Sequence, residues 1–239
     1  MIVVVASRHD QVAKDIAARW ACQGAAILSC EDLSISGWRH YLNNAAASTA
    51  VVAGRIVPFE QITGVLTRRP CIFEEELLHI LPADLTYVAS EMNAFLLSWL
   101  TSLSCPVVNR PTATCLSGPN WRPEQWIATA ASLGISVRPA RRYLSFSGSE
   151  KRTYGRDESE VGSVIIELTI VGDQCFGNGD EVLVQQARQL AAAASVDLLG
   201  VRFQVREADA TFVGVNLWPD LADEKVANAV LMYLQGRKP

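Results

Sequence analysis

A chain of 239 residues with 21 Lys and Arg against 25 Asp and Glu carries a net charge of −4, which excludes the basic footprint of a nucleic-acid binder. With 49% apolar and 19% charged residues it is composed to fold around a sizeable core, not to remain disordered. Its 6 cysteines form no CxxC pair and have no histidine at finger spacing, so they read as small, reduced apolar residues and no metal site is expected.

The opening Val3, Val4 and Val5 predict a buried parallel strand, not a secretory signal. Asp10 then caps a helix whose apolar face is Val12, Ile16 and Trp20, and Gly24 ends it before a strand at Ala26, Ile27 and Leu28. The first turn (Ala6, Ser7, Arg8, His9) lacks a glycine cradle, so no dinucleotide site is expected there. His9 and Asp10 read as a cap beside a surface histidine in preference to an acid–base pair.

Strands are expected at Thr49–Val52, at Ile56 and Val57 after a turn at Gly54, and at 62–67. Residues 74–79 read as a solvated helix face. A longer helix over 83–104 places Val88, Met92, Phe95, Leu96, Trp99, Leu100 and Leu103 on one broad face. Glu91, Asn93 and Ser98 interrupt it, so no run is long enough to span a membrane, and a cytoplasmic protein is expected. A short strand stops at Pro111, and Pro123 opens a helix that ends at Gly134.

Residues 147–160 are polar, a loop or hinge. There follow a strand at Val164–Val171, a turn at Gly172 and Asp173, a short strand through Phe176, a helix over 181–194, strands over 199–206 and 210–217, and a last helix over 222–235. The order predicts α/β followed by α+β, divided into 1–112 and 113–239.

Several passages carry a family likeness. Val65-Leu66-Thr67-Arg68-Arg69-Pro70 is similar to a "WYRRP" strand end. Glu91, Phe95, Leu96 and Leu103, followed by Pro106-Val107-Val108-Asn109-Arg110-Pro111, match "E..a.l..LL..L...wvN.P". Gln125 through Ala130, Gly134 and Pro139 match "K..Ql..A..lG..vP", and Ile166 through Phe176 match "diRv.vVGd.vf". With the late Val215-Asn216, this ordered set resembles the ATP-grasp ligases, in the ribosomal-protein S6 glutamate ligase-like (RimK-like) and microviridin-ligase-like branch, in a truncated and degenerate form. The resemblance implies a pre-ATP-grasp N-terminal domain and an ATP-grasp-like second domain with a reduced or missing central flap.

Such ligases phosphorylate a carboxylate with Mg-ATP and let an amine attack the acylphosphate, which needs lysines, magnesium-binding carboxylates and an arginine. Here those charges are replaced. The only lysines are Lys14, Lys151, Lys225 and Lys238. Pro123 stands at the first phosphate-lysine position with Arg122 beside it, and Lys151 is the one candidate within the short flap stretch 140–163. The magnesium aspartate is Arg202, the glutamate of Glu-Val-Asn is Gly214, and Asn216 is left alone. Glu167 takes the place of the phosphoryl-binding arginine, so Glu167 and Arg202 are expected to form a structural ion pair. Trp121 and Trp218 are expected to fill nucleotide space.

Arg68 and Arg69, at a strand's carboxyl end, are the anion-binding candidates, unless Glu74 or Glu75 neutralises them. No Walker loop, GxSxG or HExxH motif offers another chemistry. The expectation is a pseudoenzyme, without a cofactor, that binds a peptide, a protein or a small anion between its halves. The resemblance also implies a homodimer. The alternative is an active ATP-dependent carboxylate–amine ligase using Mg-ATP, with Arg122, Lys151, Glu167, Asp173 and Asn216 in substitute roles.

Overall fold

The computed structural model describes residues 1–42, 44–138, 163–207 and 209–236. Its first layer is a parallel sheet of β1 (Ile2–Val5), β2 (Ala25–Leu28), β5 (Gly64–Thr67) and β6 (Val107–Val108), in the order β2-β1-β5-β6. Alternation along these short apolar strands serves two cores at once. Val3, Val5, Val65 and Val107 pack under α2 (Leu85–Ser102), against Leu96, Trp99 and Leu100. Ile2, Val4, Leu66 and Val108 face the other way, against Ile16 of α1 (Gln11–Arg19) and Trp20 at its end. A strand buried on both faces explains why no polar residue interrupts it. Asp10 caps α1 as expected, its Oδ1 accepting from Ala13 N at 3.0 Å. Between β2 and β5 lies an antiparallel hairpin, β3 (Thr49–Val52) with β4 (Arg55–Pro58).

The second layer is antiparallel. It orders β7 (Val164–Val171), β8 (Gln174–Phe176), β9 (Leu198–Arg206) and β10 (Asp209–Asn216) as β10-β9-β7-β8. One face (Leu168, Ile170, Leu199, Val201, Phe203, Phe212) is covered by α3 (Pro123–Ser132) and α4 (Glu181–Ala194). The register shifts between Phe212 and Gly214, so Val213 is an extra residue in β10. This bulge keeps Phe212 in the core while Gly214 and Asn216 lie on the opposite face.

The two layers are joined by the last helix, α5 (Glu224–Leu234). Val226, Ala227, Val230 and Leu234 share one core with Ile2, Val4, Leu66, Val171 and Leu198. Gly64 permits this close approach, because a Cβ there would collide with the Leu234 carbonyl. A second joint is Asn109, buried, with φ +52°. Its Nδ2 donates to Leu198 O at 2.8 Å, and its Oδ1 accepts from the amides of Asp197 (3.0 Å) and Leu198 (2.9 Å).

One expected element is corrected. Residues 74–79 are not a helix face: Glu74–Glu76 makes a single 3-10 turn, Leu77 is buried, and His79 bonds Ser34 Oγ at 2.8 Å. Between Pro70 and Pro82 the chain must deliver Leu77 to the core and Glu76 to Arg69, which leaves no length for regular helix. Among the described residues no helix is long and apolar enough to cross a membrane.

Candidate functional site

The open face of the antiparallel sheet collects three of the candidate residues. Glu167 on β7 stands across from Arg202 on β9, which stands across from Gly214 on β10. One step along, Thr169, Gly200 and Asn216 form a second row. Six positions on three adjacent strands thus present one carboxylate, one guanidinium, one amide, one hydroxyl and two bare glycines.

The expected Glu167–Arg202 ion pair does not form. Among the described residues the ion pairs are Arg8–Glu31, Arg68–Asp10 and Arg69–Glu76. The Glu167 carboxylate leans toward Gly200, its Oε1 3.2 Å from where a Cβ would stand there. The Arg202 guanidinium lies toward Gly214, with Nη2 3.8 Å from the corresponding point. Both side chains are exposed, so water replaces the attraction between them, and the missing glycine side chains give each room to turn away.

Asn216 is also occupied locally. Its Oδ1 accepts from Trp218 N at 2.9 Å, turning the amide oxygen back onto its own backbone. Magnesium demands carboxylate oxygens in octahedral array, and this face offers Glu167 facing a guanidinium. Among the described residues no group of His, Cys, Asp and Glu could hold a metal ion. Among the described residues, those on this face do not make up a set that fits a magnesium-bound triphosphate.

A further cation reaches this face unforeseen. Arg138, next to a parallel bridge between Val137 and Phe212, donates to Gln204 Oε1, and Gln204 Nε2 donates to Ser163 Oγ at 2.6 Å. Gln204 is buried on the row beyond Arg202.

Arg68 and Arg69 lie elsewhere, at the carboxyl edge of the parallel sheet, where the order reverses between β1 and β5. Both are committed internally. Arg68 Nε meets Asp10 Oδ2 at 2.9 Å, so Asp10 caps α1 with one oxygen and neutralises Arg68 with the other. Arg69 is buried, donates to Cys71 O at 2.9 Å and pairs with Glu76. Their partners are thus Asp10 and Glu76, not Glu74 or Glu75. Beside them, burial and then the hydrogen bond to Glu31 push the Cys30 thiol up to about 11, which makes it inert.

Arg122 caps α3, where its amide donates to Gln125 Oε1 at 2.8 Å. Trp121 lies beside the start of α3. It packs on Trp126 at 4.7 Å between ring centroids and against the helix-covered core, because α3 lies on that side of the sheet. Lys151, Pro139 and the stretch 140–162 lie outside the described residues. Asp173, in the β7–β8 turn, is apart from Glu167. It lines a cleft of about 830 Å³ with Arg110, Arg188, Asp197 and Tyr233. Burial, followed by the neighbouring Asp197 carboxylate, raises the Tyr233 hydroxyl well above its ordinary pKa and keeps it protonated.

Compared with solved structures, the whole chain superposes on enzymes of one kind. Macrocyclase MdnC from Microcystis aeruginosa, bound with precursor peptide MdnA, matches with a TM-score of 0.71 at 10% identity over 99% of both chains. The ATP-grasp ligase PsnB, complexed with a phosphomimetic variant of its minimal precursor, Mg and ADP, matches at 0.67 and 13% identity, over 97% of this chain and 98% of that one. This chain has the ATP-grasp fold. The RimK domain ATP-grasp protein of Sphaerobacter thermophilus superposes at 0.53 and 15% identity, over 98% and 99%. No protein-family model and no curated protein matches the sequence.

Within this ATP-grasp fold the candidates fall into separate places: Glu167, Arg202 and Asn216 come together, while Arg68, Arg69, Arg122 and Asp173 do not join them. Arg110, Arg138, Arg188, Asp197 and Tyr233 escape sequence reasoning. Arg138 reaches the open face and the other four line the cleft, and no local spacing announces either placement.

Proposed function

We propose that this chain is an ATP-grasp-fold protein that binds a peptide on the open face of its antiparallel sheet without transferring a phosphoryl group. One observation carries the reading: Glu167 and Arg202 exchange the signs that the ligase resemblance assigns to these places, with Gly214 and Asn216 completing a face that lacks a magnesium set. Arg202 and Glu167 offer a peptide one cationic and one anionic partner. Gly214, whose absent side chain would meet nothing nearer than Arg202 Nη2, lets a peptide main chain approach. MdnC was solved with a precursor peptide, which supports a peptide as the partner class.

A second reading keeps the ligase chemistry, and PsnB with Mg and ADP is what favours it. The test is a thermal titration of the full chain with Mg-ATP and, in parallel, an assay for ADP release in the presence of candidate peptides. No rise in Tm with Mg-ATP and no ADP release are expected. A Tm that climbs with Mg-ATP concentration would establish nucleotide binding to the folded state and overturn the first reading.

A further inference from the structure

Among the described asparagines one stands apart. Asn44, Asn93, Asn109 and Asn216 each hold the side-chain oxygen on a backbone amide, of Ala47 (3.2 Å), Ile72 (2.8 Å), Leu198 (2.9 Å) and Trp218 (2.9 Å). Asn120 and Asn228 are followed by Trp121 and Ala229, whose side chains crowd the next amide nitrogen. Asn178 is exposed, its side chain makes no hydrogen bond among the described residues, and glycine follows it.

The link from β8 to α4 fixes the backbone on both sides of it. Gly177 sits at φ +120°, and a Cβ there would collide with the Glu167 carbonyl oxygen of β7. A Cβ on Gly179 would come within 2.9 Å of both methyls of Leu168. One residue on, Asp180 is anchored as the cap of α4, its Oδ1 accepting from Leu183 N at 2.8 Å. Between these anchors the Gly179 N–H donates to nothing among the described residues. An unbonded amide side chain and an unbonded amide nitrogen are therefore adjacent, in a turn open to solvent.

We propose that Asn178–Gly179 is a site of spontaneous covalent modification, where the asparagine becomes aspartate and isoaspartate, and that the isoaspartyl product loosens the strand carrying Glu167. The Gly179 nitrogen gives its proton to hydroxide or a buffer base and attacks Asn178 Cγ. The Cγ–Nδ2 bond breaks, ammonia leaves, and a succinimide ring closes. Water then opens the ring at one carbonyl to give aspartate, or at the other to give isoaspartate, whose main chain runs through Cβ and Cγ. Glycine matters because it has no Cβ to crowd the attacking nitrogen, and exposure matters because base and water must reach the turn. The proposal does not depend on the reading of the open face.

The two products differ in what they ask of the turn. Aspartate leaves the main chain unchanged and places a charge just before the cap of α4, near the positive end of that helix, where it is tolerated. Isoaspartate adds a methylene to the main chain between two glycines that already touch Glu167 and Leu168. The extra length has no room there, so it displaces either the α4 cap or the stretch of β7 beside it.

The experiment holds the full chain at pH 8, native and, in parallel, unfolded in urea. Peptide mass mapping follows residue 178 in both, and an isoaspartyl methyltransferase reports the isoaspartate. The unfolded chain is the clock. By the time half of its residue 178 is acid, the native chain should show both acids at 178, ahead of every other asparagine and faster than at pH 6. An intact amide at 178 in the native chain at that time, or earlier conversion at Asn120 or Asn228, would overturn the proposal. Asn178→Gln should remain an amide over the same interval, because its longer side chain closes a ring less readily. Acid at residue 178 in that variant would point to direct hydrolysis and overturn the attack by Gly179. Freshly prepared Asn178→Asp should keep the Tm of the natural chain, while the isolated isoaspartyl form should melt lower and exchange the amides of Glu167 and Leu168 faster. Equal Tm and equal exchange in the two forms would overturn the effect on β7.

Discussion

Glu167 and Arg202 face each other across β7 and β9, yet their charged ends turn apart, one toward Gly200 and the other toward Gly214. Among the described residues the face thus lacks a magnesium set, and this can be tested by changing the charges alone. In the variant Glu167→Arg, Arg202→Asp, Gly214→Glu, the register sets two carboxylates on adjacent strands next to Asn216. A glutamate is accommodated at 214, where an added Cβ would meet only the side chain that the variant removes. Magnesium alone, at ten times its Kd, should then add about 1.4 kcal/mol of stability, or about 3–6 °C in Tm, and should do nothing to the natural chain. An unchanged Tm in the variant would mean that the three strands do not hold the spacing a metal needs.

Asp10 serves α1 and Arg68 at once, and two substitutions separate these roles. Asp10→Asn keeps a capping oxygen but withdraws the charge from Arg68, at a cost of about 1 kcal/mol. Asp10→Ala loses the cap as well and should cost about 2–3 kcal/mol. Urea unfolding of the two variants measures the difference. Equal losses would show that the cap contributes nothing.

Two titrating groups near β2 give the stability a pH signature. For Glu31, burial acts to raise the carboxyl pKa, but hydrogen bonds from Ser29 and Cys30 and the Arg8 charge together outweigh it and lower the pKa below the ordinary 4.5. A lowered folded-state value stabilises above 4.5 and is lost as pH falls toward the folded value, so Glu31→Gln should flatten the acid limb of the stability curve. Cys30 runs the opposite way. Its folded value of about 11 against 9.0 favours the neutral thiol, so its contribution is complete below pH 9.0 and disappears as pH rises toward 11. At pH 8, iodoacetamide should modify the exposed Cys22 and spare Cys30 in the native protein, as peptide mass mapping will report.

What the sequence makes legible is local. Asp10 before an apolar period marks α1, and its side chain does accept from Ala13 N at 3.0 Å. Pro123 opens α3, and Gly134, at φ +76°, follows its end. That Glu167 and Arg202 stand across from each other was expected from the family order alone, and the register pairs them. The direction in which Glu167 and Arg202 turn was not, because glycine neighbours on other strands decide it. Nor was the fate of Arg69, which depends on a turn 7 residues on that brings Glu76 back to it. The cleft was hidden for the same reason. Arg110, Asp173, Arg188 and Asp197 become neighbours only after two sheets and α5 have docked.

That docking turns on Asn109. Its side chain makes three hydrogen bonds to the Asp197–Leu198 backbone, and its own backbone sits at φ +52°, which asparagine tolerates better than most residues. Asn109→Gly keeps the backbone conformation but leaves buried amide groups at 197 and 198 without partners, for about 2–3 kcal/mol. Asn109→Ala adds the cost of a left-handed alanine, about 1 kcal/mol more, so the alanine variant should be the less stable of the two. Because Asn109 Oδ1 also anchors Asp197, both variants should loosen the rim of the cleft and speed amide exchange at Asp197 and Leu198, while leaving Glu167 and Arg202 in place. Hydrogen exchange followed by mass spectrometry reads this directly. Exchange that quickens equally along β7, β9 and β10 would show that Asn109 supports the whole second sheet and not this joint alone.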